Sequence, residues 1–113
     1  MDKILLTTID EVPGARVIRV IGLVRGNSVR ARDLGHDLLA NLKNLVGGEI
    51  VECTKMIAEA REEALDRLAA QAAANGANAV VGLRFASAEV MAGAAELLAY
   101  GTAVVLEEIQ ARA

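Results

Sequence analysis

From Asn44 to Phe85 the chain reads NLVGGEIVECTKMIAEAREEALDRLAAQAAANGANAVVGLRF, and this stretch decides the fold. Its apolar residues recur at the 3.6-residue spacing of an amphipathic helix, at Cys53, Met56, Ile57, Ala60, Ala64, Leu65, Leu68 and Ala72. Asn75-Gly76 then supplies the residue types that commonly end a helix. We therefore predict a long helix over about residues 51–75, followed by a strand over Ala79–Phe85.

The residues that precede this stretch predict strands. Runs rich in β-branched residues favour strands at Ile4–Thr8 and Ala15–Arg25. Val12-Pro13-Gly14 predicts a turn between them, because Pro and Gly set turn geometry. Gly26-Asn27-Ser28 predicts a bend, after which a short strand follows at Val29–Arg32.

A shorter helix is predicted to precede the long one. Asp33 is a suitable N-cap for it, and Gly47 suits the position just after its last turn. A last strand is predicted over Leu97–Glu107, joined to the preceding strand by a flexible connection at Ala86–Glu96. The order β-β-α-α-β-β predicts an α+β fold in a single domain of residues 1–113: a small, mainly antiparallel sheet with two helices, one of them long, on one face.

The composition favours self-association. Hydrophobic residues make up 54% of the 113 residues, yet they include one Phe, one Tyr and no Trp. Because each aromatic side chain buries about 150–250 Å², a chain that lacks them builds a thin core. We therefore predict an oligomer, in which contacts between subunits add to the buried apolar area.

The net charge of −3 is unevenly distributed along the chain. Residues 1–48 carry seven Lys or Arg and five Asp or Glu, whereas residues 49–113 carry five and ten. The basic excess forms a stripe in the sequence at Arg16, Arg19, Arg25, Arg30 and Arg32. Such a stripe can follow phosphates, but it lacks interleaved aromatic residues for base stacking. We expect solvated strand faces or ion pairs between subunits; the alternative, anion or nucleic-acid binding, predicts salt-sensitive retention on a polyanion resin.

No membrane segment is predicted. Residues Met1–Thr8 lack the apolar run of a signal peptide, and no window approaches the ~20 apolar residues of a spanning helix. The single cysteine, Cys53, excludes a disulfide within the chain. We expect a cytoplasmic protein.

The sequence resembles the YbjQ-like family, whose members are described as "putative heavy-metal-binding" proteins. The matching segments follow one another in order and span nearly the whole chain: Thr7-Thr8, Pro13-Gly14, Asp37–Glu49 with its Leu45–Glu49 motif, Ala60–Glu62, Gly76–Gly82 and Tyr100–Val104. The resemblance implies a compact α+β subunit of dodecin/YbjQ-like form that assembles into a ring, a homopentamer. It also implies that the biochemical function is unassigned and that a divalent heavy-metal ion is the candidate cofactor.

Two side chains, Cys53 and His36, are candidate metal ligands. A structural zinc site needs four ligands from Cys, His or carboxylates, and this chain has one Cys and one His. A site within one subunit is therefore not expected, whereas a symmetric ring repeats each residue and could assemble a ligand set between subunits. The alternatives are a buried hydrophobic role for Cys53 and a surface position for His36.

Other chemistries have weak support in the sequence. Gly47-Gly48 could expose amides to a phosphate, but Glu49 and Glu52 place negative charge there and the P-loop lysine is absent. A nucleophile–base pair would need Cys53 or a Ser or Thr near His36, and nothing in the sequence brings them together, so we predict a protein that is not an enzyme. Tyr100, beside Gly101, either anchors the core or lines a pocket or ring lumen.

We predict that the protein binds a small ligand or metal ion as a homo-oligomer. The alternative is an assembly or scaffold module that carries no small ligand.

Overall fold

The computed structural model describes residues 3–31, 48–91 and 94–109, with the backbone alone described at residues 30, 31, 48–53 and 90. The strands are β1 (Leu5–Leu6), β2 (Ala15–Ala31), β3 (Ala79–Met91) and β4 (Ala94–Glu108), and the helix α1 spans Gly48–Ala74. The first predicted helix, over residues 33–46, lies outside the described residues. The α+β fold class is confirmed.

The four strands form one mixed sheet in the order β1-β3-β4-β2. β4 lies antiparallel to both β2 and β3, whereas the two-residue β1 pairs parallel to the start of β3. The prediction of a mainly antiparallel sheet is therefore confirmed, with one parallel pair added at its edge.

Two predicted interruptions of the strands are wrong. Gly26-Asn27-Ser28 is not a bend, because β2 runs unbroken through it and pairs Gly26 with Ala99 and Ser28 with Leu97. The flexible connection predicted over Ala86–Glu96 is also wrong for the residues that the structure describes there, since β3 continues to Met91 and β4 begins at Ala94. In both places the backbone ladder forms strands from residues with low β propensity.

Two irregularities in β2 decide which side chains share a face. The register with β4 shifts between Val17 and Arg19 and again between Val20 and Gly22, so that one residue is left unpaired each time. Each extra residue reverses the usual alternation of side chains. As a result Val17, Val20 and Leu23 lie on the same face at a spacing of three residues.

The helix α1 packs on the opposite face of the sheet. Its buried residues Ala60, Ala64, Leu68 and Ala72 follow the predicted stripe. In the main core this stripe contacts Val24 of β2, Val80 and Leu83 of β3, and Ala99 and Ala103 of β4. At 27 residues the helix is about 40 Å long at 1.5 Å per residue, in agreement with the predicted long helix.

The C-terminus of α1 is closed by a Schellman motif at the predicted residues. Gly76 has a φ of +86° and its N–H donates to the carbonyl of Ala73 at 3.0 Å. The N–H of Ala77 donates to the carbonyl of Ala72, also at 3.0 Å. These bonds satisfy carbonyls that the helix end would leave open and turn the chain into β3.

Side chains of α1 cover the outer edge of β2. The N–H of Arg25 donates to Gln71 Oε1 at 2.7 Å, and Arg67 Nη1 donates to the carbonyl of Asn27 at 2.6 Å. Unpaired groups on an edge strand invite association with other strands. The helix therefore both buries one face of β2 and occupies part of its free edge.

The other edge of the sheet is covered for only part of its length. The N–H of Leu83 donates to Thr7, and the N–H of Gly82 donates to Ile9, both at 3.0 Å. Beyond Leu83, no strand among residues 3–31, 48–91 and 94–109 pairs with this side of β3. Because N–H groups alternate along a strand, those of Phe85, Ser87 and Glu89 point toward this edge.

Candidate functional site

The predicted metal ligands are not brought together by the described residues. Cys53 lies in the second turn of α1, where the backbone alone is described, and His36 falls outside the described ranges. In the part of the chain that the structure describes, no group of three or more His, Cys, Asp or Glu side chains is placed to hold a metal ion. The intersubunit metal site stays a prediction.

A cleft lies where the loop before β2 meets the end of β4. Its volume is about 530 Å³ and its walls include Asp10, Glu11, Pro13, Arg16 and Leu106. Arg16 is engaged by Glu107, with its Nη2 at 3.0 Å from the carboxylate Oε2. The remaining charges on the walls are acidic, so the cleft suits a small cation or polar group better than an anion.

A polar cluster fastens the middle of α1 to β2. Ser28 is fully buried and its hydroxyl donates to Glu63 Oε1 at 3.1 Å. The same carboxylate oxygen lies 3.0 Å from Arg67 Nη2. A buried hydroxyl costs free energy unless it is hydrogen-bonded. These contacts satisfy Ser28 and have a structural role.

The basic stripe does not form one surface. Register places Arg16 and Arg19 on the face that carries α1 and Arg25 on the opposite face. Arg16 is paired with Glu107. Arg19 reaches the C-terminus of α1, where its Nη2 lies 3.4 Å from the point that a Cβ atom would occupy if Gly76 had one. Positive charge is stabilising at that end of a helix. Among the described arginines of the stripe, Arg25 alone is left on the other face.

We call the sheet face opposite α1 the distal face. On it Val17, Val20 and Leu23 form a column along β2, with 44%, 64% and 69% of their surfaces exposed. The distal face is partly covered elsewhere, because Val12 and Leu106 pack on a small second cluster of Ala79, Val81 and Val104. Exposed apolar surface of this kind marks interaction sites in many proteins.

Directly beyond the apolar column, three polar or aromatic residues lie in one row across three strands. Tyr100 of β4 is paired with Arg25 of β2 on one side and with Arg84 of β3 on the other. Paired residues point to the same face, so the side chains of Arg25 and Arg84 leave the sheet on the distal face, one on each side of Tyr100. Tyr100 is 36% exposed; of the two roles left open for it, this position favours lining a site over anchoring the core.

Arg84 is held in place by main-chain oxygens. Its Nη1 donates to the carbonyl of Thr8 at 2.9 Å and to that of Leu83 at 2.8 Å. These acceptors orient the guanidinium without neutralising its charge. Arg84 carries no local sequence signal of a site, because its place beside Tyr100 depends on the register of β3 against β4.

Comparison with known proteins identifies the family. The model of the family described as "Putative heavy-metal-binding" (YbjQ) matches residues 4–107. The chain belongs to this family. The resemblance found in the sequence is thus confirmed.

Curated relatives come from bacteria and archaea and carry names without an assigned function. A UPF0145 protein of Thermus thermophilus is 54% identical over 110 residues, which cover 97% of this chain and 96% of the relative. One from Methanoculleus marisnigri is 58% identical over 102 residues, covering 90% and 95%. One from Archaeoglobus fulgidus is 55% identical over 104 residues, covering 92% and 96%.

A solved structure supports the fold. A protein of unknown function from Pediococcus pentosaceus, assigned to the DUF74 family, superposes with a TM-score of 0.62 at 16% identity. The match covers 92% of this chain and 98% of that one. None of the helices in the described ranges is both long enough and apolar enough to cross a membrane.

Proposed function

We propose that this protein is a non-enzymatic homo-oligomer, a pentamer, that binds a small ligand or metal ion where its subunits meet. The observation that carries the proposal is the apolar column on the distal face, in which Leu23 and Val20 are 69% and 64% exposed. Burying one such side chain is worth about 1.5–3 kcal/mol. A second copy of the chain that covers the column gains this free energy at several positions.

The internal core gives a second reason for self-association. Eight of the fourteen buried hydrophobic residues among those described are alanines, which remove little apolar area from water. β2 alone, with 17 residues at about 3.3 Å each, is longer than the ~40 Å helix that packs on it. A subunit of this form leaves sheet surface that another copy can bury.

The free edge of β3 supplies a route for the contact. The N–H groups of Phe85, Ser87 and Glu89 point to the side where the described residues provide no strand. A strand from a second copy that pairs there would satisfy these groups in the way that sheets extend between chains. The number five comes from the family resemblance of the sequence.

A metal ion is the second candidate for the ligand, and the family description favours it. In this proposal Cys53 and His36 of neighbouring subunits provide the ligands, since symmetry repeats each of them around the ring. Zinc bound by native protein, and lost in both Cys53→Ser and His36→Asn while the assembly persists, supports it. Zinc binding that is unchanged in both variants contradicts it.

Native mass spectrometry on protein purified without chelators or an affinity tag tests the proposal, because it reports subunit number and bound mass together. A pentamer with a discrete additional mass supports the binding function. A bare pentamer, unchanged by zinc, copper or nickel, favours the alternative of a scaffold without a small ligand. A monomer at micromolar concentration contradicts the proposal as a whole.

A further inference from the structure

The row Arg25–Tyr100–Arg84 combines two positive charges with one aromatic ring on a single chain. Cα atoms of directly opposed residues lie about 4.5–5.5 Å apart, so the two arginine backbones are separated by about 10 Å with Tyr100 between them. The Arg25 side chain has no partner among the described residues and can turn toward Tyr100. Arg84 uses only its Nη1 for the carbonyls of Thr8 and Leu83, so its other N–H donors are left for a group that lies between the two arginines. Thr102, two residues along β4 on the same face, adds a half-buried hydroxyl.

The charge of the row is not neutralised by the described residues. Arg25 makes no ion pair with any carboxylate among them, and Arg84 contacts carbonyl oxygens. Two carboxylates lie nearby. Glu96 accepts a hydrogen bond from Asn27 Nδ2 at 3.0 Å. Asp10 lies against Gly82, with its Oδ1 3.2 Å from the point that a Cβ atom would occupy there. Neither lies within 4.0 Å of either guanidinium.

We propose that this row binds the phosphate group of a small molecule that also carries a planar ring, which is the chemistry of a mononucleotide. Arginine forks bind phosphate through paired N–H donors. The Tyr100 ring offers a stacking surface for a planar group. Leu23, at the end of the apolar column, lies one row away, so a molecule bound on the row lies beside the proposed subunit contact.

A long nucleic acid fits the surface less well. A polyanion needs a track of positive charges, but Arg16 and Arg19 lie on the other face of the sheet. The described arginines therefore offer a site for one or two phosphates. This inference rests on the small-ligand part of the proposed function, but the row is complete within one chain, so binding and assembly can fail separately.

The test is calorimetric titration with adenosine monophosphate, adenosine and inorganic phosphate, with native mass spectrometry of each variant to record its assembly. We expect adenosine monophosphate to bind at least about tenfold more tightly than adenosine, because hydrogen bonds to charged groups contribute about 1.5–3 kcal/mol. Equal binding of the two compounds, or no binding of adenosine monophosphate at millimolar concentration, overturns the inference.

Three variants assign the binding to the row. Arg25→Gln removes a side chain that makes no hydrogen bond or ion pair among the described residues, so we expect an intact fold and a roughly tenfold loss of affinity for both adenosine monophosphate and phosphate. Arg84→Lys keeps the charge but loses the fork, and a smaller loss is expected. Tyr100→Leu should lower the affinity for adenosine monophosphate while leaving the affinity for inorganic phosphate unchanged.

Arg61→Gln is the matched control, since Arg61 is an exposed arginine of α1 on the other side of the sheet. An affinity loss in Arg61→Gln equal to that in Arg25→Gln overturns the site. A second result would also overturn the site. It is a single-stranded oligonucleotide that binds far more tightly than the mononucleotide and whose affinity falls with salt as steeply as contacts to many phosphates require. A monomer that binds adenosine monophosphate would support the binding site at the row and contradict the proposed pentamer.

Discussion

Gly26 of β2 lies directly against the backbone of Ala64 in α1. A Cβ atom added at Gly26 would overlap the carbonyl oxygen of Ala64 and the amide nitrogen of Leu68. The strand and the helix therefore touch backbone to backbone, and the glycine is required by a close approach rather than by a turn. This contact brings α1 near enough for Arg67 and Gln71 to reach the edge of β2.

Gly26→Ala should destabilise the protein by about 3 kcal/mol, because overpacking against fixed backbone atoms usually costs about 1–3 kcal/mol or more. The free energy of unfolding, measured by urea titration followed by circular dichroism, checks it. Gly14→Ala is the control, since Gly14 has a φ of +82° and nothing within 4 Å of an added Cβ. It should lose only the roughly 1–2 kcal/mol of backbone strain. Equal losses would contradict the close contact.

Arg67→Met should cost about 1.5 kcal/mol, chiefly because the carbonyl of Asn27 loses a charge-assisted donor at 2.6 Å. The i,i+4 pair with Glu63 is partly exposed and adds only a few tenths of a kcal/mol. Arg61→Met, on the exposed side of the same helix, should change the unfolding free energy by less than about 0.5 kcal/mol. Equal unfolding free energies for the two variants would show that the contact between Arg67 and Asn27 does not stabilise the edge of β2.

Ser87→Pro and Ala88→Pro test the two sides of β3 one at a time: the free edge, and the side that pairs with β4. The N–H of Ser87 points to the free edge, whereas that of Ala88 points to β4. Ser87→Pro should therefore leave the subunit folded but weaken assembly, because proline cannot donate to a neighbouring strand. Ala88→Pro should lose about 1–3 kcal/mol of stability, because it removes a ladder hydrogen bond to β4 and leaves its acceptor unpaired. Sedimentation together with thermal melts distinguishes them, and a fully assembled Ser87→Pro variant would argue against edge pairing.

The long helix and the start of β3 were predictable because their signals are local. The stripe from Ala60 to Ala72 has helical spacing, and Asn75-Gly76 carries the termination signal that the Schellman motif uses. The observed end at Ala74 lies one residue from the prediction. Neighbouring residues along the chain determine such features, so they can be predicted from a single sequence.

The bend predicted at Gly26-Asn27-Ser28 was wrong because the cause of the local structure is tertiary. Gly26-Asn27-Ser28 has the composition of a turn, yet Gly26 is there to admit α1 and Ser28 is buried against Glu63. The shifts near Ile18 and Ile21 cannot be read from alternation, since each one moves the following residues to the other face. The row across Tyr100 and the apolar column depend on these shifts, which is why the candidate site emerged only from the register.

The measurement that tests the central claim most directly is the subunit number of Leu23→Lys by native mass spectrometry, compared with wild type and Ile57→Lys. Leu23 and Ile57 are large apolar residues, 69% and 55% exposed, on the distal face and on α1 respectively. A charge at Leu23 would have to be buried in the subunit contact, which is costly. We expect wild type and Ile57→Lys to be pentamers and Leu23→Lys to dissociate into folded subunits. A monomeric wild type, or a Leu23→Lys variant that remains a pentamer, would contradict this expectation.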